Sequence, residues 1–100
     1  MATVSMKLVT VVAERLLRDR LLEELATLGA RGFTVTDATG EGSRGVRASD
    51  WEGRNVRVEA IVAPDVADEI VAHVAERYFE HYAVIVWMQT VEVVRGDKYL

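Results

Sequence analysis

Between two stretches that read as strands, residues 39–57 spell TGEGSRGVRASDWEGRNVR. Gly40, Gly42, Gly45 and Gly53 are four of the chain's seven glycines, and Arg44, Arg47, Arg54 and Arg57 are a third of its twelve lysines and arginines. Glycine lets backbone amides come close to an anion. Ser43 adds a hydroxyl, and the arginines add planar forks that match phosphate oxygens. The chemistry this suggests is anion binding, phosphate above all. No Lys-Ser or Lys-Thr pair follows the glycines, so it is not a P-loop. It opens a strand rather than a helix, so it is not a dinucleotide fingerprint either. The competing reading is a surface loop whose arginines are merely solvated.

Other reactive residues point to no catalysis. His73 falls on the polar side of a helix, four residues from Glu69 and from Arg77, and reads as a solvated surface histidine. His81 sits at a helix-to-strand turn beside Glu80. The two do not make a metal site, and there is neither an H-E-x-x-H motif nor a Cys/His cluster. Ser43 stands among arginines, where anion contact is more natural than nucleophilic attack. Asp65, Asp68 and Glu69 suit the negative-charge preference of a helix start. No enzyme, cofactor or metal is expected. Trp51, in mid-loop, packs on the loop's base or anchors a partner protein, as exposed aromatics do. Trp87 belongs to an apolar strand and reads as core or subunit interface.

The elements that must position these groups follow from periodicity. Residues 6–13 are rich in β-branched residues and apolar on both alternations, with Leu8 and Val12 one way and Val9 and Val11 the other, as in a strand buried on both faces. From Glu14 the period changes, and Leu17, Leu21, Leu25 and Leu28 line a helix stopped by Gly29. Residues 32–37 are a second strand and 55–62 a cleanly alternating third. Pro64 opens a second helix, with Ala67, Ile70, Val71, Val74 and Tyr78 facing inward. A fourth strand over 82–88, a short fifth over 90–94 and a polar tail complete the chain.

The order β-α-β-loop-β-α-β is that of an α+β, ferredoxin-like sandwich with both helices on one face of the sheet. Strands one and four are apolar on both faces, so the open face must be covered, and self-association follows. At 100 residues there is room for one domain. Half the residues are hydrophobic, no apolar run reaches the length of a membrane span, and no export leader is visible. The absence of cysteine excludes disulfides and thiolate sites, and the net charge of −4 argues against nucleic-acid binding. A cytoplasmic protein with no direct membrane insertion is expected.

Several segments resemble the PII-like signalling proteins, and most of all the SbtB-type carbon sensors associated with bicarbonate transporters. They are Gly32-Phe33-Thr34-Val35, Gly42-Ser43-Arg44-Gly45-Val46-Arg47, Arg77-Tyr78-Phe79 followed by Tyr82-Ala83, and Glu92-Val93-Val94-Arg95-Gly96. The resemblance spans nearly all of residues 1–100 and implies a single PII-like domain and a homotrimer. It also implies adenine nucleotide in clefts between subunits, and a long T-loop that reads a partner, here a membrane transporter. Carried over by position, Gly42, Ser43, Arg44 and Arg47 would hold phosphate. Arg95 and Gly96 would approach from the last strand, Thr34 and Val35 would line the adenine or ribose side, and Trp51 would meet the partner.

Glu41 stands where related sensors often carry lysine. That favours AMP or cyclic AMP over ADP and ATP. The cysteine-bearing extension of some relatives is absent, so hydrolysis linked to it is not expected. Two rivals are an amino-acid-sensing ACT-like module and a purely structural or metal-tolerance trimer of the same fold. A ferredoxin-like RNA binder would need sheet aromatics that strands one and three lack.

Overall fold

The structure is a computed structural model, and residues 1–39 and 54–95 are described. Strand β1 (Val4–Glu14) leads through a 3-10 turn (Arg15–Leu17) into helix α1 (Arg18–Leu28). Strands β2 (Thr34–Ala38) and β3 (Asn55–Val62), helix α2 (Pro64–Tyr78) and strand β4 (Val84–Val93) follow. The sheet is antiparallel throughout, in the order β2-β3-β1-β4. Both helices cover one face, which is the expected ferredoxin-like sandwich.

Register assigns each side chain to a face, because residues directly opposite across antiparallel strands project the same way. Val9, Val11 and Ala13 of β1 share the helix face with Val56, Val58, Ala60 and Val62 of β3. Leu17, Leu21 and Leu25 from the first helical segment pack there, with Ala67, Ile70, Val74 and Tyr78 from α2. All are buried. Of the expected inner stripe of α2, only Val71 is not fully buried.

Helix ends follow local chemistry. Gly29 takes φ +121°, and the Ala30 N–H reaches back to the Leu25 carbonyl at 3.0 Å, a closure that needs a residue tolerant of positive φ. Pro64 opens α2, with Asp65 in its first turn and Arg77 in its last, complementing the helix dipole at both ends.

Several boundaries differ from expectation. The first helix does not begin at Glu14, which ends β1 in register with Asn55 and accepts a 2.7 Å hydrogen bond from the Ala83 N–H. That bond fastens the start of β4 to the end of β1. The second strand begins at Thr34 rather than Gly32. The separate fifth strand does not exist. Residues 84–93 are one strand paired continuously with β1, from Ala13↔Val84 to Val4↔Val93. Gln89 and Thr90 interrupt the apolar run between the two expected strands. Neither is a turn former, and both are simply exposed on an edge strand.

Candidate functional site

The open face of the sheet carries Met6, Leu8, Thr10 and Val12 of β1. Opposite them stand Arg57, Glu59 and Ile61 of β3 and Ile85, Trp87, Gln89 and Val91 of β4. Ile85 is 57% exposed, large for a β-branched apolar residue on a sheet face. At the β2–β3–β1 corner of this face lies a hollow of about 390 Å³, lined by Leu8, Arg31, Gly32, Phe33, Thr34, Glu59 and Ile61. Leu8 pairs with Ile61, and Thr34 with Glu59, so four wall residues come from adjacent rungs of three strands. The connection from α1 to β2 supplies Arg31, Gly32 and Phe33.

Chemically, the hollow has apolar walls with one guanidinium and one carboxylate at its margin. A flat, partly apolar ligand with hydrogen-bonding edges suits such a wall. The loop root lies on the same strands, where Ala38 pairs with Asn55. Four residues along β3 separate Asn55 from Glu59, about 13 Å at the rise of an extended strand.

Beyond the hollow, Arg57 spans the open face. Its Nη2 lies 3.3 Å from Glu59 Oε2, and its guanidinium carbon stands 5.5 Å from the centre of the Trp87 ring. Since β1 separates β3 from β4, this side chain crosses the central strand. Thr10, in register with both Glu59 and Trp87, is fully buried, and its hydroxyl has no partner among the described residues.

A second polar cluster joins the helices. Glu24 of α1 accepts from the Tyr78 hydroxyl at 2.5 Å, lies 2.9 Å from His73 Nε2, and has Arg20 and Arg77 within 4 Å. Burial would raise the Glu24 pKa, but the hydrogen bonds from Tyr78 and His73 outweigh it and hold the carboxyl below its ordinary value. Burial and the adjacent Glu24 push the Tyr78 hydroxyl up to about 12. His73 is therefore not a solvated surface residue but an interhelical ligand of Glu24. His81 conforms to the simpler reading, exposed and 2.9 Å from Glu80. Among the described residues no group of three or more His, Cys, Asp or Glu could hold a metal ion.

The family described as nitrogen regulatory protein P-II matches residues 6–98. A PII-like signalling protein of Thermus thermophilus is 56% identical, covers all of both chains and superposes with a TM-score of 0.88. This chain belongs to the P-II family.

Two structures of CPII, a PII-like protein of Thiomonas intermedia, share the fold at 18% identity and TM-scores of 0.85. One, bound to ADP, AMP and acetate, matches over 99% of this chain and 98% of its own. The other, bound to ADP, AMP and bicarbonate, matches over 97% and 95%.

Within this P-II fold the residues singled out from sequence fall in different places. Thr34 lines the hollow. Val35, next along the strand, pairs with Val58 and packs against the helix-side core, so its side chain is not a wall of the hollow. Arg95 is exposed just past β4 at φ +69°, a conformation rare for a residue with a side chain. It lies at the β4 edge, three strand spacings, or about 14 Å, from β2. Gly42, Ser43, Arg44, Arg47, Trp51 and Gly96 lie outside the described residues. Sequence reasoning missed Leu8, Arg31, Glu59 and Ile61. One signal was available: Arg57, Glu59 and Ile61 share the outward alternation of β3, and Ile61 is apolar where a solvated face would be polar.

Proposed function

We propose that this P-II protein is a non-catalytic signalling module, residues 1–100 forming one domain, that binds adenine nucleotide and presents its T-loop to a partner. The observation that carries this reading is the position of the hollow. Its apolar walls and its Arg31 and Glu59 margin lie on the open face, one strand segment from the root of the glycine- and arginine-rich loop. Purine and ribose occupy the hollow, and the phosphate extends toward Gly42, Ser43, Arg44 and Arg47. CPII, with ADP and AMP in its structures, supports the ligand class.

The open faces of three copies cover one another, which buries Ile85 and its neighbours. Arg95 sits at the edge opposite Thr34, so it joins a site at the hollow from a neighbouring copy, with Gly96 next to it in the chain. Phosphate held by Arg44 and Arg47 orders the loop, and Trp51 then meets or leaves a membrane transporter at its cytoplasmic side. The nucleotide shifts that equilibrium only by its differential affinity for the two loop states, typically about 1–3 kcal/mol. With Glu41 in place of a cation, AMP and cyclic AMP bind more tightly than ADP or ATP.

The test is a thermal-shift and calorimetry panel of AMP, cyclic AMP, ADP, ATP and bicarbonate on the parent protein and on Arg47→Ala. A native-state ligand raises the melting temperature by mass action. Arg47→Ala should lose about 1.5–3 kcal/mol of binding, the scale of a charge-assisted hydrogen bond. No shift with any nucleotide, or equal affinity in the variant, overturns the reading.

A further inference from the structure

Arg57 has two simple explanations. An exposed arginine two residues from a glutamate on one strand is usually a weak surface ion pair. It could equally be a solvated cation on an alternating strand. Neither accounts for its other end. The guanidinium lies against Trp87, two strands away, while its Nη2 stays 3.3 Å from Glu59. Trp87 and Glu59 occupy one rung of the sheet, joined through Thr10. Arg57 thus touches both residues that flank Thr10 on a rung to which it does not itself belong, crossing β1 to do so. Thr10, the middle of that rung, is sealed from solvent with its hydroxyl unpartnered among the described residues, so the closed arrangement is held against a desolvation cost.

Glu59 meanwhile is a wall of the hollow, with its side chain 30% exposed. An ionised carboxylate only accepts hydrogen bonds, and its two oxygens offer more sites than one guanidinium contact uses. What it offers a ligand is therefore an acceptor for an amino or hydroxyl donor. Arg57, fixed by the indole, sets where that acceptor points.

We propose that Arg57 is a positioning residue that aims the Glu59 carboxylate into the hollow and ties occupancy of the hollow to Trp87 on the open face. The inference rests on the nucleotide reading of the hollow. A donor group that bonds Glu59 takes up part of the carboxylate's charge. The hold on Arg57 changes, and the cation moves relative to the ring it covers. Indole emission responds to a cation moving over its π-face, so Trp87 reports the event. Because Trp87 belongs to the face that sequence reading assigns to self-association, the ligand signal reaches that surface without passing through the long loop.

The experiment uses the full chain carrying Trp51→Phe, which leaves Trp87 as its only tryptophan, with AMP as the probe. Calorimetry measures affinity, and emission is recorded during the same titration. Arg57→Ala, Glu59→Gln, the double variant and Arg57→Lys are compared, with circular dichroism confirming that each is folded. AMP should alter Trp87 emission in the parent. Arg57→Ala should abolish that response and weaken AMP about fivefold, Glu59→Gln should weaken it about tenfold, and the double variant should be no weaker than Glu59→Gln alone. Arg57→Lys, which keeps the cation, should restore most of the affinity.

Losses that multiply in the double variant overturn the inference, as does calorimetric binding of AMP with silent emission in the parent. The nucleotide reading survives both outcomes. No calorimetric binding of AMP to the parent overturns that reading and this inference together.

Discussion

The Tyr78 hydroxyl donates to Glu24 Oε1 at 2.5 Å, joining α1 to α2 across 54 positions of chain. The same oxygen lies 2.9 Å from His73 Nε2, and the Arg20 guanidinium carbon sits 5.1 Å from the centre of the Tyr78 ring. Tyr78 also meets Tyr82 edge to face, with ring centres 5.7 Å apart. One partly buried carboxylate therefore orients the helix pair while apolar side chains supply most of the attraction. Hydrogen bonds to a charged acceptor contribute about 1.5–3 kcal/mol each. Tyr78→Phe, which keeps the ring and deletes the donor, should cost about 2 kcal/mol in urea unfolding with the slope unchanged. Glu24→Ala should cost more, because it strands both His73 and the Tyr78 hydroxyl.

The same cluster fixes a pH profile. Glu24 has its folded-state pKa depressed, so its contribution is complete above its ordinary value of 4.5 and is lost as pH falls through the lower folded value. Tyr78 has its folded-state pKa raised from 10.0 to about 12, so its contribution is complete below 10.0 and is lost as pH rises through about 12. Melting temperature should be flat with respect to these two groups between about pH 5 and about pH 10 and fall on either side. Glu24→Gln should reduce the acid slope. Tyr78→Phe should reduce the alkaline one. Spectrophotometric titration should show one of the three tyrosines ionising last.

Gly29 is set by backbone and by space together. Its φ of +121° lies where side chains are strained, and a Cβ built there would stand 3.3 Å from Val66 Cγ2 and 3.4 Å from Val66 Cγ1. Gly29→Ala should therefore destabilise by about 1–2 kcal/mol, the scale of a side chain forced to positive φ. Calorimetric melting measures this. A neutral result would mean that α1 ends differently from the closure at Leu25.

Much of this fold was legible because its causes are local. The outward and inward alternation of 55–62 returned β3 with both bounds, and the leucine period with Gly29 returned the end of α1. What was not legible depends on neighbours distant in sequence. Glu14 carries no strand signal of its own; it belongs to β1 because Asn55 pairs with it and Ala83 bonds to it. His73 looked solvated because a helical projection of α2 cannot show Glu24 of α1. The hollow was hidden for the same reason. Leu8, Arg31, Thr34 and Ile61 lie in three separate stretches and meet only once β3 is placed between β1 and β2. The anion-binding reading of the loop rests on composition rather than register, and its residues Gly42, Ser43, Arg44 and Arg47 lie outside the described residues.

Thr10 marks where the open face is least settled within a single copy. Its side chain is 0% exposed, Glu59 and Trp87 flank it on adjacent strands, and its hydroxyl finds no partner among the described residues. A buried hydroxyl without a hydrogen bond costs about 1–3 kcal/mol relative to an apolar group of the same shape. Valine is that group and is equally suited to a central strand. Thr10→Val should raise the melting temperature by several degrees, since about 1 kcal/mol shifts the midpoint of a domain of this size by roughly 4–8 °C. Differential scanning calorimetry at two protein concentrations checks it. Destabilisation that deepens at the higher concentration would instead show that a neighbouring copy supplies the missing partner, so that the central rung of the sheet is completed only on assembly.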